Sequence, residues 1–149
     1  MLIRSAGAPS VDRTMTSDTR GPIAALRDRR AKALGRRGEA LAAAHFDRLG
    51  FRVLARNHRT RYGELDLVLT DAEGRTIVFC EVKTRRLGSG DVWDSLHDGK
   101  RQQVRRMAAA WLTEVTERPW AAELRFDAVG VTVDARDRLV RLDHLEAAF

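Results

Sequence analysis

Three ionisable residues mark the part of the chain able to do chemistry. Asp66 sits in Gly63-Glu64-Leu65-Asp66-Leu67-Val68-Leu69, and Glu81 and Lys83 sit in Thr76-Ile77-Val78-Phe79-Cys80-Glu81-Val82-Lys83-Thr84-Arg85. The two runs are apolar and rich in Val, Ile and Leu, with polar residues 70–75 between them, so they read as adjacent strands of a hairpin. Side chains alternate along a strand. Glu64, Asp66 and Val68 are therefore expected on one face and Leu65, Leu67 and Leu69 on the other, while Ile77, Phe79, Glu81 and Lys83 share one face of the second strand. In an antiparallel hairpin the end of the second strand lies beside the start of the first. Asp66 and Glu81 are thus expected to converge, with Lys83 one step beyond. Such charges are costly to bury alone, so they should meet each other or a metal.

An Asp followed by Glu-x-Lys is what a metal-dependent phosphodiesterase needs. Carboxylate oxygens suit a hard, octahedral Mg²⁺ (or Mn²⁺) that keeps several waters. Such an ion activates a bound water, and a lysine can orient that water or balance charge on the phosphorane. The same residues also describe two half-exposed strands with a Glu–Lys pair facing solvent. Spacing and patterning alone leave both readings open.

Composition narrows the class. A chain of 149 residues is one domain with room for a real core. Its net charge of +6 and pI of about 10.6 point to a polyanionic partner, with nucleic acid the default. A single cysteine, Cys80, excludes an internal disulfide and any cysteine-cluster metal site, and its place within a strand suits a packed core residue. The four histidines, at 45, 58, 97 and 144, have no zinc-ligand spacing. There is no membrane-span pattern and no secretory h-region, so a soluble, cytoplasmic protein is expected.

The elements that position these residues follow from periodicity. Residues 1–21 are rich in Ser, Thr, Gly, Pro and Arg and read as a disordered extension, with Met15 a second candidate start; residues 22–149 form the domain. Pro22 to Leu49 is helical, with a break expected near Gly35-Arg36-Arg37-Gly38 and a C-cap at Gly50. Spacing sets Glu39 at the edge of the apolar arc, either as a surface residue at the rim or as a third acidic group pointed at the strands, and Gly35 and Ala42 would let the helix lie close to a sheet. Phe51 to Asn57 reads as a strand, and Asn57 to Gly63 as a basic loop in which Arg59 and Arg61 are candidate phosphate contacts. A loop carrying Trp93 follows Lys83. Asp98 caps a helix to about Thr116 with Val104, Met107, Ala108, Trp111, Leu112 and Val115 as its core stripe. Lys100 leans toward the sheet, and Arg101 and Arg105 lie on a basic outer face that is either solvated or set against DNA. Leu124 to Val133 is a strand, Leu139 to Leu142 its hairpin partner, and Asp143 to Phe149 a helical turn.

This order, αβββαβ plus a short partner strand, is an α/β layout with a mixed sheet flanked by helices, that of a restriction-endonuclease-like core. Five blocks occur in order: Gly-Arg-Arg-Gly-Glu at 35–39, Gly-Glu-Leu-Asp-Leu-Val at 63–68, Val-Phe-Cys-Glu-Val-Lys-Thr-Arg at 78–85, Arg-Phe-Asp-Ala-Val at 125–129 and the closing Ala-Phe. Together they resemble the bacterial YraN-like family over roughly Leu34 to Phe149. That family is similar to archaeal Holliday-junction resolvases and to the PD-(D/E)xK nucleases. The resemblance implies that Asp66 and Glu81 bind metal, that Lys83 is the catalytic lysine, and that Glu39 helps to hold the metal site rather than lying at the rim; the Val82 carbonyl is a further candidate ligand. Glu64 matches the family block without a clear role. The chain departs from the usual pattern at Asp94-Ser95-Leu96, where relatives more often carry Glu-Ala-Val or Glu-Ala-Ile.

Two function classes follow. One is an Mg²⁺-dependent endonuclease acting on DNA, branched or damaged DNA included. The other is a nucleic-acid- or partner-binding module that keeps the fold without turnover, since fold does not fix function. DNA is the expected partner of the nuclease and of a nucleic-acid-binding module, with Arg59, Arg61, Lys100, Arg101 and Arg105 as the candidate contacts. No membrane and no small-molecule cofactor are expected, and a homodimer is a compatible assembly.

Overall fold

A computed structural model describes residues 21–94, 96 and 98–149. The expected N-terminal extension lies outside them except for Gly21, as do Ser95 and His97. Helix α1 (Pro22–Arg48) leads into strands β1 (Arg52–Thr60), β2 (Gly63–Thr70) and β3 (Thr76–Arg86), then helix α2 (Asp98–Glu114) and strands β4 (Glu123–Val133) and β5 (Leu139–Leu145). The strands form one mixed sheet in the order β1-β2-β3-β4-β5. Neighbours are antiparallel except β3 and β4, which are parallel because α2 carries the chain back between them. None of the described helices is long and apolar enough to cross a membrane.

Several boundaries differ from expectation. Helix α1 runs unbroken through Gly35-Arg36-Arg37-Gly38. Its end is as expected at Gly50, which takes a left-handed φ of 85°. The Gly50 N–H donates to the Asp47 carbonyl and the Phe51 N–H to that of Phe46, a Schellman closure sealed by the Phe46 and Phe51 rings at 5.6 Å. Most of the expected basic loop is strand: β1 continues to Thr60, and only Arg61 and Tyr62 make the turn. The C-terminal segment is not helical from Asp143, because β5 stays paired to β4 as far as Leu145, opposite Ala128.

Each face of the sheet buries one helix. On one side Ala42, Ala43 and Phe46 of α1 pack on Leu67, Leu69, Val78, Cys80, Val82, Val129, Val131 and Val133. On the other, Val104, Met107, Ala108 and Trp111 of α2 pack on Leu65, Val68, Ile77 and Phe79. Strand β3 is apolar on both faces because it is covered on both.

Two glycines of α1 part company here. In a helix interior each costs about 0.5–1 kcal/mol relative to alanine. The cost at Gly38 has an internal reason, since a Cβ there would land on the Thr84 side chain. This contact, with fully buried Ala42, brings α1 down onto β3. Gly35, expected to share that role, does not: a Cβ there would meet no described atom within 4 Å. Gly38→Ala is expected to destabilise the fold by about 1–3 kcal/mol, the cost of overpacking a tight contact, despite alanine's better helix propensity. Urea denaturation checks this, and a neutral or stabilised variant would contradict the packing described.

Candidate active site

The site begins where two strands stop pairing. The β2–β3 ladder runs from Thr70 and Ile77 to Leu67 and Cys80 and goes no further. Opposite Asp66 on β1, Asn57 takes a left-handed φ of 49°, and the β1–β2 register passes over both residues. Alternation breaks at this kink. Leu65 joins the α2 side while Leu67 stays on the α1 side, so the expected common face for Leu65, Leu67 and Leu69 does not form. Glu64 likewise parts from Asp66. It turns to a cleft beside Glu39 and α1 and pairs with Arg59 at 3.2 Å.

Into the resulting fork Asp66 places its carboxylate, where Oδ2 accepts the Val82 N–H at 2.7 Å. A side chain thus takes the donor that a paired strand would have satisfied. Next along β3, Glu81 is 5 % exposed and its Oε1 lies 2.9 Å from both Lys83 Nζ and Lys100 Nζ. Lys83 is brought in by β3 itself, two residues on. Lys100 arrives from the first turn of α2, one turn before buried Val104. Burying a carboxylate without such partners would be prohibitive.

These neighbours set the proton affinity of Asp66. Burial and the negative charge of Glu81 raise its carboxyl, and Glu39 adds to this, while the Val82 N–H and Lys100 oppose it; the outcome is about 7. Glu39, half-buried on α1, therefore acts on Asp66 through space. Among the described residues no three or more Asp, Glu, His or Cys side chains are gathered closely enough to hold an ion by themselves. What converges is a pair, Asp66 and Glu81, with Val82 supplying backbone and two lysines balancing Glu81. A pair of hard oxygen donors fits Mg²⁺ or Mn²⁺, which need only one or two carboxylates.

The expected nucleic-acid contacts scatter. Lys100 belongs to the fork. Arg59 pairs with Glu64, Arg61 lies over the Tyr62 ring at 4.7 Å, and Arg101 lies 3.8 Å from Asp98. Arg105, still exposed, donates to the Phe149 carbonyl at 3.0 Å with its guanidinium over the Phe126 ring. Cys80 is buried, and burial with the nearby carboxylates pushes its thiol far up, so it is an inert core residue.

Sequence reasoning missed one polar network. Asp127, fully buried on β4, accepts from Arg125, from the Ala147 N–H and from His144 Nε2 at 2.8 Å. His144 Nδ1 in turn meets His45 Nε2 of α1 at 3.1 Å. Burial pushes the Asp127 carboxyl up, but the hydrogen bonds from His144, Arg125 and Ala147 outweigh it and hold the group below its usual value. The network ties the C-terminal strand to α1 on the α1 side of the sheet. Its sequence signal was Asp127 itself, a charge inside an otherwise apolar strand.

Comparison with known proteins agrees with the motif blocks. The profile of the uncharacterised protein family UPF0102 matches residues 38–131. A UPF0102 protein of Nocardia farcinica is 47% identical over 119 residues, covering 79% of this chain and 90% of that protein. One from Mycobacterium tuberculosis is 45% identical over 116 residues, covering 76% and 89%, and one from Mycobacterium avium 46% over 114 residues, covering 76% and 87%.

The raised Asp66 carboxyl carries a pH signature. Between its unfolded value of 3.8 and about 7 the native protein holds a proton there that the unfolded chain has lost. The contribution is therefore present below the lower value and is lost as pH rises through the upper one. The metal-free protein should accordingly lose stability relative to Asp66→Asn between about pH 4 and about pH 7, as read by urea denaturation. Parallel profiles for the two proteins would mean that Asp66 is not held in this environment.

Proposed function

We propose that this chain, which belongs to the uncharacterised protein family UPF0102, is a divalent-metal-dependent nuclease that hydrolyses phosphodiester bonds in DNA. The observation that carries this reading is the convergence of Asp66 and Glu81 at the end of the β2–β3 ladder, with two ammonium groups at 2.9 Å from Glu81. Asp66, Glu81 and the Val82 backbone would hold Mg²⁺ or Mn²⁺, which when bound supplies a Lewis acid and an activated water. Lys83, partly exposed at the mouth of the fork, is placed where its ammonium group would orient an attacking water and balance negative charge developing on the phosphate. Lys100 is more covered and holds Glu81 in place. Glu39 keeps the local potential negative, favouring cation entry. The family's likeness to resolvases and PD-(D/E)xK nucleases supports the same assignment, branched or damaged DNA being the substrate class it suggests.

A second reading rests on a specific feature. Glu81 is already neutralised by Lys83 and Lys100, and the described residues gather no ready-made carboxylate cluster. A site so balanced suits a module that binds DNA or a protein partner without turnover.

Two measurements decide between them. Calorimetric titration should find weak Ca²⁺ or Mn²⁺ binding that is lost in Asp66→Ala and Glu81→Ala while both variants stay folded; unchanged titrations would remove the metal site. Lys83→Ala should leave metal and DNA affinity nearly intact and lower the cleavage rate about 10²–10³-fold, the usual cost of one preorganised charge. Cleavage of branched, flapped and linear DNAs that survives this substitution would sink the mechanism, and no cleavage by the wild type would favour the module.

A further inference from the structure

Beside the fork, on the α1 side, lies a cleft of about 490 Å³ lined by Lys32, Gly35, Arg36 and Glu39 of α1 and by Asn57, Arg59 and Glu64 of the β1–β2 edge. A volume of this order is that of a ligand site. Its charges are arranged unequally. Glu64 is paired with Arg59 and Glu39 is the second carboxylate of the lining, whereas Lys32 and Arg36, both exposed, have no ion-pair partner among the described residues, so the lining cations Lys32, Arg36 and Arg59 outnumber its two acids. Glu39 lines the cleft and its charge acts on Asp66, and Asn57, on the other wall, lies opposite Asp66 in the sheet.

Two backbone features of this cleft bear on what it could hold. Gly35 costs the helix stability, yet no described atom would obstruct a Cβ there. Its neighbour in the motif, Gly38, is explained by Thr84; among the described residues nothing explains Gly35, which leaves the helix backbone open to a group that approaches from outside. Asn57, a non-glycine residue inside a strand, holds a left-handed φ of 49° where it lines the opposite wall. Such backbone outliers persist where the surrounding structure and the function over-determine them.

We propose that this cleft is the track for a DNA strand: its phosphodiester backbone lies against Gly35, with phosphates on Lys32 and Arg36, and leads the next phosphate to Asp66 and Glu81. The track rests on the nuclease reading for its purpose, but it makes its own claim about binding. It moves the DNA contact from the outer face of α2, where Arg101 lies beside Asp98 and Arg105 is spent on Phe149, to the α1 face.

The test is binding, not cleavage. The full chain is titrated against a fluorescein-labelled branched DNA in Ca²⁺ over a range of salt concentrations, using the wild type, Gly35→Ala, the double variant Lys32→Ala/Arg36→Ala, and Arg101→Ala. Gly35→Ala is expected to raise Tm by about 1–3 °C through helix propensity. It should also weaken DNA binding about tenfold, at the low end of what an obstructed approach costs. The double variant should lower the salt slope by about two, close to 0.9 for each phosphate that is no longer neutralised, and Arg101→Ala should leave it unchanged. Wild-type affinity and slope in the first two variants would overturn the track while leaving the nuclease reading standing. A Gly35→Ala protein that is less stable would give the glycine an internal reason and overturn the track's use of it. Absence of wild-type binding to any DNA would overturn both the track and the reading beneath it.

Discussion

One hydrogen bond, from the Val82 N–H to Asp66 Oδ2 at 2.7 Å, organises the molecule around its site. A strand that leaves its neighbour exposes backbone donors, and buried donors must find partners. Here β2 leaves β3 beyond Leu67 and Cys80, and the Asp66 side chain meets the donor so exposed. The rest of the fold makes that departure tolerable. The kink in β2 is matched by the left-handed Asn57 on β1, and β3 stays straight because its other edge pairs with β4 along its whole length, from Thr76 to Arg86. The fork is thus a rigid strand beside a bent one. It holds a carboxylate where no ordinary side-chain position would put it.

Electrostatics then follow from burial. Glu81 and Asp66 stand close enough to repel, and the structure answers with lysines brought from two directions, one on the same strand and one at the start of α2. Because α2 is fixed by Val104, Met107 and Trp111 against Phe79 and its neighbours, Lys100 is delivered by core packing rather than by its own flexible stem. On the opposite face Asp127 is treated differently. Arg125, His144 and a backbone N–H pair it fully, so it stays ionised, and through His45 it anchors the last strand to α1. The acids divide the labour: Asp127 is paired to completion for structure, whereas Asp66 is held by the Val82 N–H beside the like charge of Glu81.

The sequence made most of this legible, and the exceptions share a cause. Alternation and turn residues identified the central hairpin, and the Asp66, Glu81 and Lys83 constellation came from strand geometry alone. The kink at Asp66 was hidden because alternation assumes a regular strand; Leu65 and Glu64 therefore changed sides without any change in composition. Arg59 and His58 read as loop because charged residues at an edge strand look like a solvated turn. Lys100 could be placed on the inward side by its spacing from Val104, but its bond to Glu81 needed the crossing of α2 over β3. His45 and His144 are nearly a hundred residues apart, so no local pattern could pair them. Gly35 and Gly38 look alike as letters and differ only in what stands opposite each.

The central claim is that the fork is a cation site built from a carboxylate held beside a like charge. It is tested most directly by following the Asp66 carboxyl carbon by NMR as pH is varied, with and without Mg²⁺. Titration near 7 is predicted in the metal-free protein, with a fall toward the ordinary carboxylate range once Mg²⁺ saturates the site. An Asp66 that titrates at its ordinary 3.8 and ignores Mg²⁺ would contradict the claim.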